Sequence, residues 1–296
     1  MKNNTNLKTL YPSDGGVAFV VMMALYVFIT FFGQTVLSAF SLKSGDVVMV
    51  AISSTFSILA IIITLCHFAF FKECGVKAVS EFNSFNLGSV GLLVLLSIGM
   101  FLGLGFLNTV FINLFESLGI AVGGLSITFS GVSDLITYIF TLAILPAVFE
   151  ELFFRALMLN ALKSVGKVVS VIIAGLLFAL YHCSVAQLLY QFVYGVALSV
   201  LFVYAKSVLP CIIAHFINNF TIILLEYLKF NVDLFNPLLI ALGLVCLVAF
   251  FAVTILSLRK NSVCTEKQKD GVGKFFLPYG LFGILICLIL IVSSLF

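Results

Sequence analysis

Charge is scarce in this chain: Asp, Glu, Lys and Arg make up 9% of its 296 residues. A soluble domain carries roughly 25%, so a soluble core is excluded. Histidine is rarer still, with three copies at His67, His182 and His215. The seven cysteines (Cys66, Cys74, Cys183, Cys211, Cys246, Cys264 and Cys287) form no CxxC pair, which removes zinc-ribbon and dithiol redox chemistry. They read as small apolar packers. No HExxH and no GxSxG occurs, so neither a zincin helix nor a serine-hydrolase elbow is available. The net charge of +3 does not imply a nucleic-acid partner, because the basic residues fall in loops between apolar runs.

What is abundant is apolar sequence: 62% of the residues are hydrophobic, arranged in runs of about 20 that suit bilayer-crossing helices. The expected fold is all-α, a polytopic transmembrane helical bundle of about 8–9 spans with an interior polar cavity. Apolar runs lie at about 15–40, 47–71, 87–115, 135–162, 168–182, 186–205, 208–228, 237–258 and 275–296. The first is too long for a signal-peptide core of about 7–15 residues, so it reads as a retained span. No internal repeat is visible and no soluble domain is expected at either end. The division expected is 1–130 as N-terminal spans, 131–228 as the catalytic core and 229–296 as C-terminal spans.

Basic residues of short loops set orientation. With the N-terminus inside, the cytoplasmic set is Lys2, Lys8, Lys72, Lys77, Lys163, Lys167, Lys206, Arg259, Lys260, Lys267, Lys269 and Lys274. Only Lys43 and Lys229 then lie outside, with Arg155 inside a span. The expectation is a bacterial cytoplasmic membrane protein with its N-terminus inside and its C-terminus outside. The run ending at His182 is shorter than the ~20 residues needed to cross. Its end should therefore stop at an interior pocket, because irregular backbone at membrane depth is tolerated only beside protein or a water-filled cavity.

The fourth run contains Phe149-Glu150-Glu151-Leu152-Phe153-Phe154-Arg155. Each ionised side chain at a bilayer centre costs at least ~2.5–3.5 kcal/mol on insertion scales, so three together imply partners or a task. Glu151 and Arg155 are four apart and share a helical face, where they can pair. Glu150 is rotated by roughly 100° and has no cation at either helical offset. In Phe178-Ala179-Leu180-Tyr181-His182 an aromatic ring precedes an imidazole by one turn; in His215-Phe216-Ile217-Asn218-Asn219 an amide follows one. His215 and Asn219 thus share a face and can act as paired donors. Gln187, Tyr190, Gln191 and Tyr194 are expected to line the same interior, though placement at the lipid interface explains the tyrosines equally well. His67 and Glu226 read as interfacial.

These groups suit hydrolysis. A glutamate in an apolar site can act as general base on water, a histidine opposite can hold that water, and pre-aimed donors can stabilise an oxyanion. The order Glu-Glu-x-x-x-Arg, Phe-x-x-x-His, His-x-x-x-Asn resembles the CPBP family of intramembrane endopeptidases. That family includes type II CAAX prenyl endopeptidases and bacterial proteins linked to bacteriocin immunity and peptide maturation. The likeness covers roughly residues 135–225, with Ala156 standing where a glycine commonly follows the arginine.

The resemblance implies that Glu150 and His182 activate water, that His215 and Asn219 form the oxyanion site, and that Glu151 and Arg155 support them. It implies a peptide or protein substrate at the lipid bilayer, CAAX-like or an exported, bacteriocin-type peptide. Two other readings use the same residues: a proton-coupled transporter relaying through Glu150 and His182, and a non-catalytic peptide-binding immunity protein. No cofactor is expected. Zinc remains an option through Glu150, His182 and His215, a ligand set with an open position. Against it, the apolar neighbours Ala179, Ile212 and Phe216 offer no local acceptor for the second nitrogen of a ligand imidazole.

Overall fold

The computed structural model describes residues 10–40, 46–71, 82–83, 88–120, 122, 127–260 and 271–295. Lys2, Lys8, Lys43, Lys72, Lys77, Lys267 and Lys269, on which the charge asymmetry partly rests, lie outside the described residues, as do Cys74 and Cys264. Among the described residues every regular element is helical. Eight helices are long and apolar enough to cross a membrane, and the chain is an integral membrane protein of the polytopic all-α class.

In chain order these helices are α1 (Pro12–Ser38), α2 (Val47–Phe71), α3 (Val90–Ser117) and α4 (Val132–Val165), then α6 (Val185–Ala205), α7 (Leu209–Tyr227), α8 (Pro237–Arg259) and α9 (Gly273–Ser293). Between α4 and α6 stands the short α5, Lys167–Tyr181. Its 15 residues reach only about 22 Å at 1.5 Å per residue, against a hydrocarbon core of about 30 Å.

α5 and α6 form the tightest hairpin. A Cβ added to Gly175 would meet the backbone nitrogen of Val196 at 2.8 Å, and one on Gly195 would meet the Cα of Gly175 at 2.9 Å. Small residues that allow close backbone approach are the usual device for packing helices in lipid. The close approach also leaves the Gly195 carbonyl within reach of a side chain from α4.

α4 is not a regular α-helix. π-helical turns at Ile139–Ile144 and Leu152–Met158 flank the α-helical segment Leu145–Glu151 that carries both glutamates. Such widened turns concentrate at functional sites because they re-aim side chains. Pro146 lies in the same segment. It has no N–H to return to the carbonyl four residues earlier, that of Leu142. A carbonyl deprived of its donor in a membrane interior must be satisfied from elsewhere.

Candidate active site

The charged and polar residues singled out in the sequence converge from α4, the end of α5 and α7. At the centre is Glu151, fully buried. Its Oε1 accepts from Nη1 of Arg155 at 3.1 Å, the pairing that the helical spacing predicts. The same oxygen lies 2.8 Å from Nδ1 of His215. Since a carboxylate only accepts, His215 Nδ1 carries a proton. Arg155, also fully buried, donates through Nη2 to the Gly195 carbonyl at 3.3 Å. Its guanidinium carbon stands 4.4 Å from the centroid of the Phe178 ring, in cation–π range. Arg155 thereby ties α4 to α5 and α6, and Glu151 ties α4 to α7.

Glu150 faces a different set. Its Oε2 lies 4.0 Å from Nε2 of His182, and its Oε1 accepts from the Tyr181 hydroxyl at 3.4 Å. Nδ1 of His182 is 2.7 Å from the Phe178 carbonyl, which can only accept, so the neutral ring carries its proton on Nδ1 and turns the Nε2 lone pair toward Glu150. The side chain of His182 is 15% exposed and that of Glu150 6%, so the cluster opens at the His182 end. Phe178 holds both imidazoles edge-on, with centroids 4.8 Å from His182 and 5.9 Å from His215. The ring one turn before His182 thus serves three neighbours.

Asn219 is placed differently from the expected joint donation with His215. One turn further along α7, its Nδ2 donates to the carbonyl of Leu142, four residues before Pro146, at 3.0 Å. Its orientation is fixed by a relay: the Tyr190 hydroxyl donates to Asn218 Oδ1 at 2.6 Å, and Asn218 Nδ2 donates to Asn219 Oδ1 at 3.1 Å. The contacts Glu151–His215 and Leu142–Asn219 show that α4 and α7 run antiparallel. Tyr194 is buried with its ring 5.8 Å from His215, and Gln191 donates to Gln187 on the same helix at 3.3 Å. His67 and Glu226 are exposed.

The sequence reading missed Tyr181, which it treated as a spacer within Phe-x-x-x-His, and Asn218. It also denied both imidazoles an acceptor, which the structure corrects. The Phe178 carbonyl and the Glu151 carboxylate hold the two Nδ1 atoms, the first a backbone group and the second from another helix. His215 is drawn onto Glu151, and among the described residues no group of three His, Cys, Asp or Glu converges closely enough to hold a metal ion.

Residues 132–221 match a family model described as type II CAAX prenyl endopeptidase Rce1-like. The matched segment runs from the start of α4 into α7 and contains all the residues of the cluster. No curated protein matches the chain.

Proposed function

We propose that this chain, whose residues 132–221 match the model of the type II CAAX prenyl endopeptidase family, hydrolyses a peptide bond of a membrane-associated protein or peptide with water activated by Glu150. That family is one of proteases. The observation that carries the finer reading is the facing pair Glu150 Oε2 and His182 Nε2 at 4.0 Å. The separation is too long for a direct hydrogen bond, yet a water ~2.8 Å from each atom would subtend about 90° at its oxygen.

In the reaction that this supports, Glu150 takes a proton from the water, and the resulting hydroxide attacks the scissile carbonyl carbon. The C–N bond then breaks as the proton held by Glu150 passes to the leaving nitrogen, with His182 keeping the water in place throughout. The oxyanion falls to α7. His215, whose Nδ1 proton goes to Glu151, donates from Nε2 when that nitrogen also carries a proton, and Asn219 has a second amide hydrogen beyond the one on Leu142. Division of labour between the glutamates follows from their contacts: Glu151 accepts from Arg155 and His215, whereas Glu150 accepts from the Tyr181 hydroxyl and faces the His182 imidazole. We place the protein in a bacterial cytoplasmic membrane with its N-terminus inside.

Quantitative mapping of peptide ends in membranes from cells with the wild-type chain or Glu150→Gln tests the proposal. New termini that appear only with the wild type, and vanish equally with His182→Ala, support it. Identical end maps for wild type and Glu150→Gln would sink it.

A further inference from the structure

We infer that Tyr181 is a positioning residue for Glu150: its hydroxyl sets the carboxylate plane so that the second oxygen faces His182. The inference rests on the protease reading above for its catalytic meaning, but the contact itself is independent of any activity. A glutamate's terminal torsion is broad and roughly two-fold, so a carboxylate held at neither oxygen samples many planes. Here Oε1 accepts from Tyr181 at 3.4 Å while Oε2 is left to His182 at 4.0 Å. Among the described residues Tyr181 is the side chain that hydrogen-bonds this carboxylate, and Arg155 is directed to Glu151 and the Gly195 carbonyl. A length at the long end of hydrogen bonding is common in catalytic sites before substrate tightens them.

The phenol is itself held. Tyr181 is 5% exposed, its ring lies 5.4 Å from that of Phe154 and 6.4 Å from that of Tyr26, and Ser57 of α2 reaches its hydroxyl. Immediately after it, His182 caps the helix and Cys183 adopts a left-handed φ of 49°, a conformation that costs a residue with a Cβ roughly 1–2 kcal/mol. The chain therefore leaves α5 abruptly, and two consecutive residues at one helix end address the two oxygens of one carboxylate. α5 stops short of a full crossing at the point where it delivers both groups.

Infrared difference spectra of the full-length protein in lipid nanodiscs test the contact without a substrate. The carboxyl band assigned to Glu150 by its loss in Glu150→Gln should shift in Tyr181→Phe and stay in place in the packing control Tyr26→Phe. Should Tyr181→Phe fail to accumulate, fluorotyrosine incorporated at position 181, which keeps the packing and strengthens the donor, should move the same band in the opposite direction to a lost donor. A band that moves with neither substitution overturns the inference. Once a cleaved peptide is in hand, Tyr181→Phe should lower kcat about tenfold with KM unchanged, and an unchanged kcat likewise overturns it. Failure of the wild type to cleave any peptide strikes the protease reading alone, since the spectra still decide whether Tyr181 orients Glu150.

Discussion

Nδ1 of His215 and Oε1 of Glu151 meet at 2.8 Å in a fully buried contact between α7 and α4. The same oxygen receives Arg155 at 3.1 Å, so one carboxylate compensates a guanidinium and anchors an imidazole on the facing helix. Breaking such a buried pair by removing one partner costs about 3–5 kcal/mol, because the remaining charge is stranded. Glu151→Gln should therefore lower stability by that order, and Glu150→Gln, which strands no cation, should not. Thermal exposure of the buried thiols Cys211, Cys246 and Cys287 to a fluorogenic maleimide reads this in a chain without tryptophan. Equal destabilisation by both substitutions would contradict the division of labour between the glutamates.

Asn219 and Leu142 make a second, separable prediction. If the amide chiefly satisfies the Leu142 carbonyl, four residues before Pro146, Asn219→Ala costs about 1–3 kcal/mol of stability. Pro146→Ala in the same chain returns the N–H and should recover part of that loss. A residue that acts only on the oxyanion behaves otherwise: its loss lowers kcat by about 100- to 1,000-fold with stability intact and no rescue. Thermal midpoints of Asn219→Ala, Pro146→Ala and the double variant, set beside their cleavage rates, separate the two contributions. Lack of any recovery in the double variant would refute the carbonyl-capping role.

The apolar runs gave helix positions within a few residues because a membrane span is specified by length and hydropathy alone. The expected 47–71, for instance, is α2 as found, and 15–40 is displaced only slightly from Pro12–Ser38. The short run before His182 was legible for the same reason. Glu151 and Arg155 were legible because both lie on one helix, where spacing fixes the neighbour. Tyr181 on Glu150 and His215 on Glu151 were not, since contacts between helices depend on rotation and depth, which composition leaves open. The Phe178 and Leu142 carbonyls were invisible for another reason: backbone acceptors have no side-chain signature. The π-helical turns that aim the glutamates likewise leave no mark on hydropathy.

Topology can be checked at residues that the structure shows to be exposed. Lys163, at the α4–α5 turn, and Lys229, after α7, are both exposed. With the N-terminus inside, the first faces the cytoplasm and the second the outside. Single cysteines placed at these positions in a cysteine-free chain should react with a membrane-impermeant maleimide in whole cells at 229 and not at 163. Labelling at 163 from outside would invert the assignment.

Purified active protein should contain clearly less than one zinc per chain. Each imidazole meets the first requirement of a metal ligand, because its Nδ1 is held by an acceptor, the Phe178 carbonyl for His182 and Glu151 for His215. A hydrolytic zinc site needs three protein ligands around one point, and the third does not arrive. Glu150 and His182 face each other at 4.0 Å, whereas His215 is drawn onto Glu151, and among the described residues no three such side chains converge on an ion. Coordination would also consume Glu150, the carboxylate proposed as the base for water, with Glu151 already committed to Arg155 and His215. Cleavage should accordingly persist after prolonged treatment with a strong chelator, with elemental analysis of the same sample showing substoichiometric zinc. Stoichiometric zinc that disappears together with activity in both His182→Ala and His215→Ala would replace the glutamate-activated water by a metal-bound one.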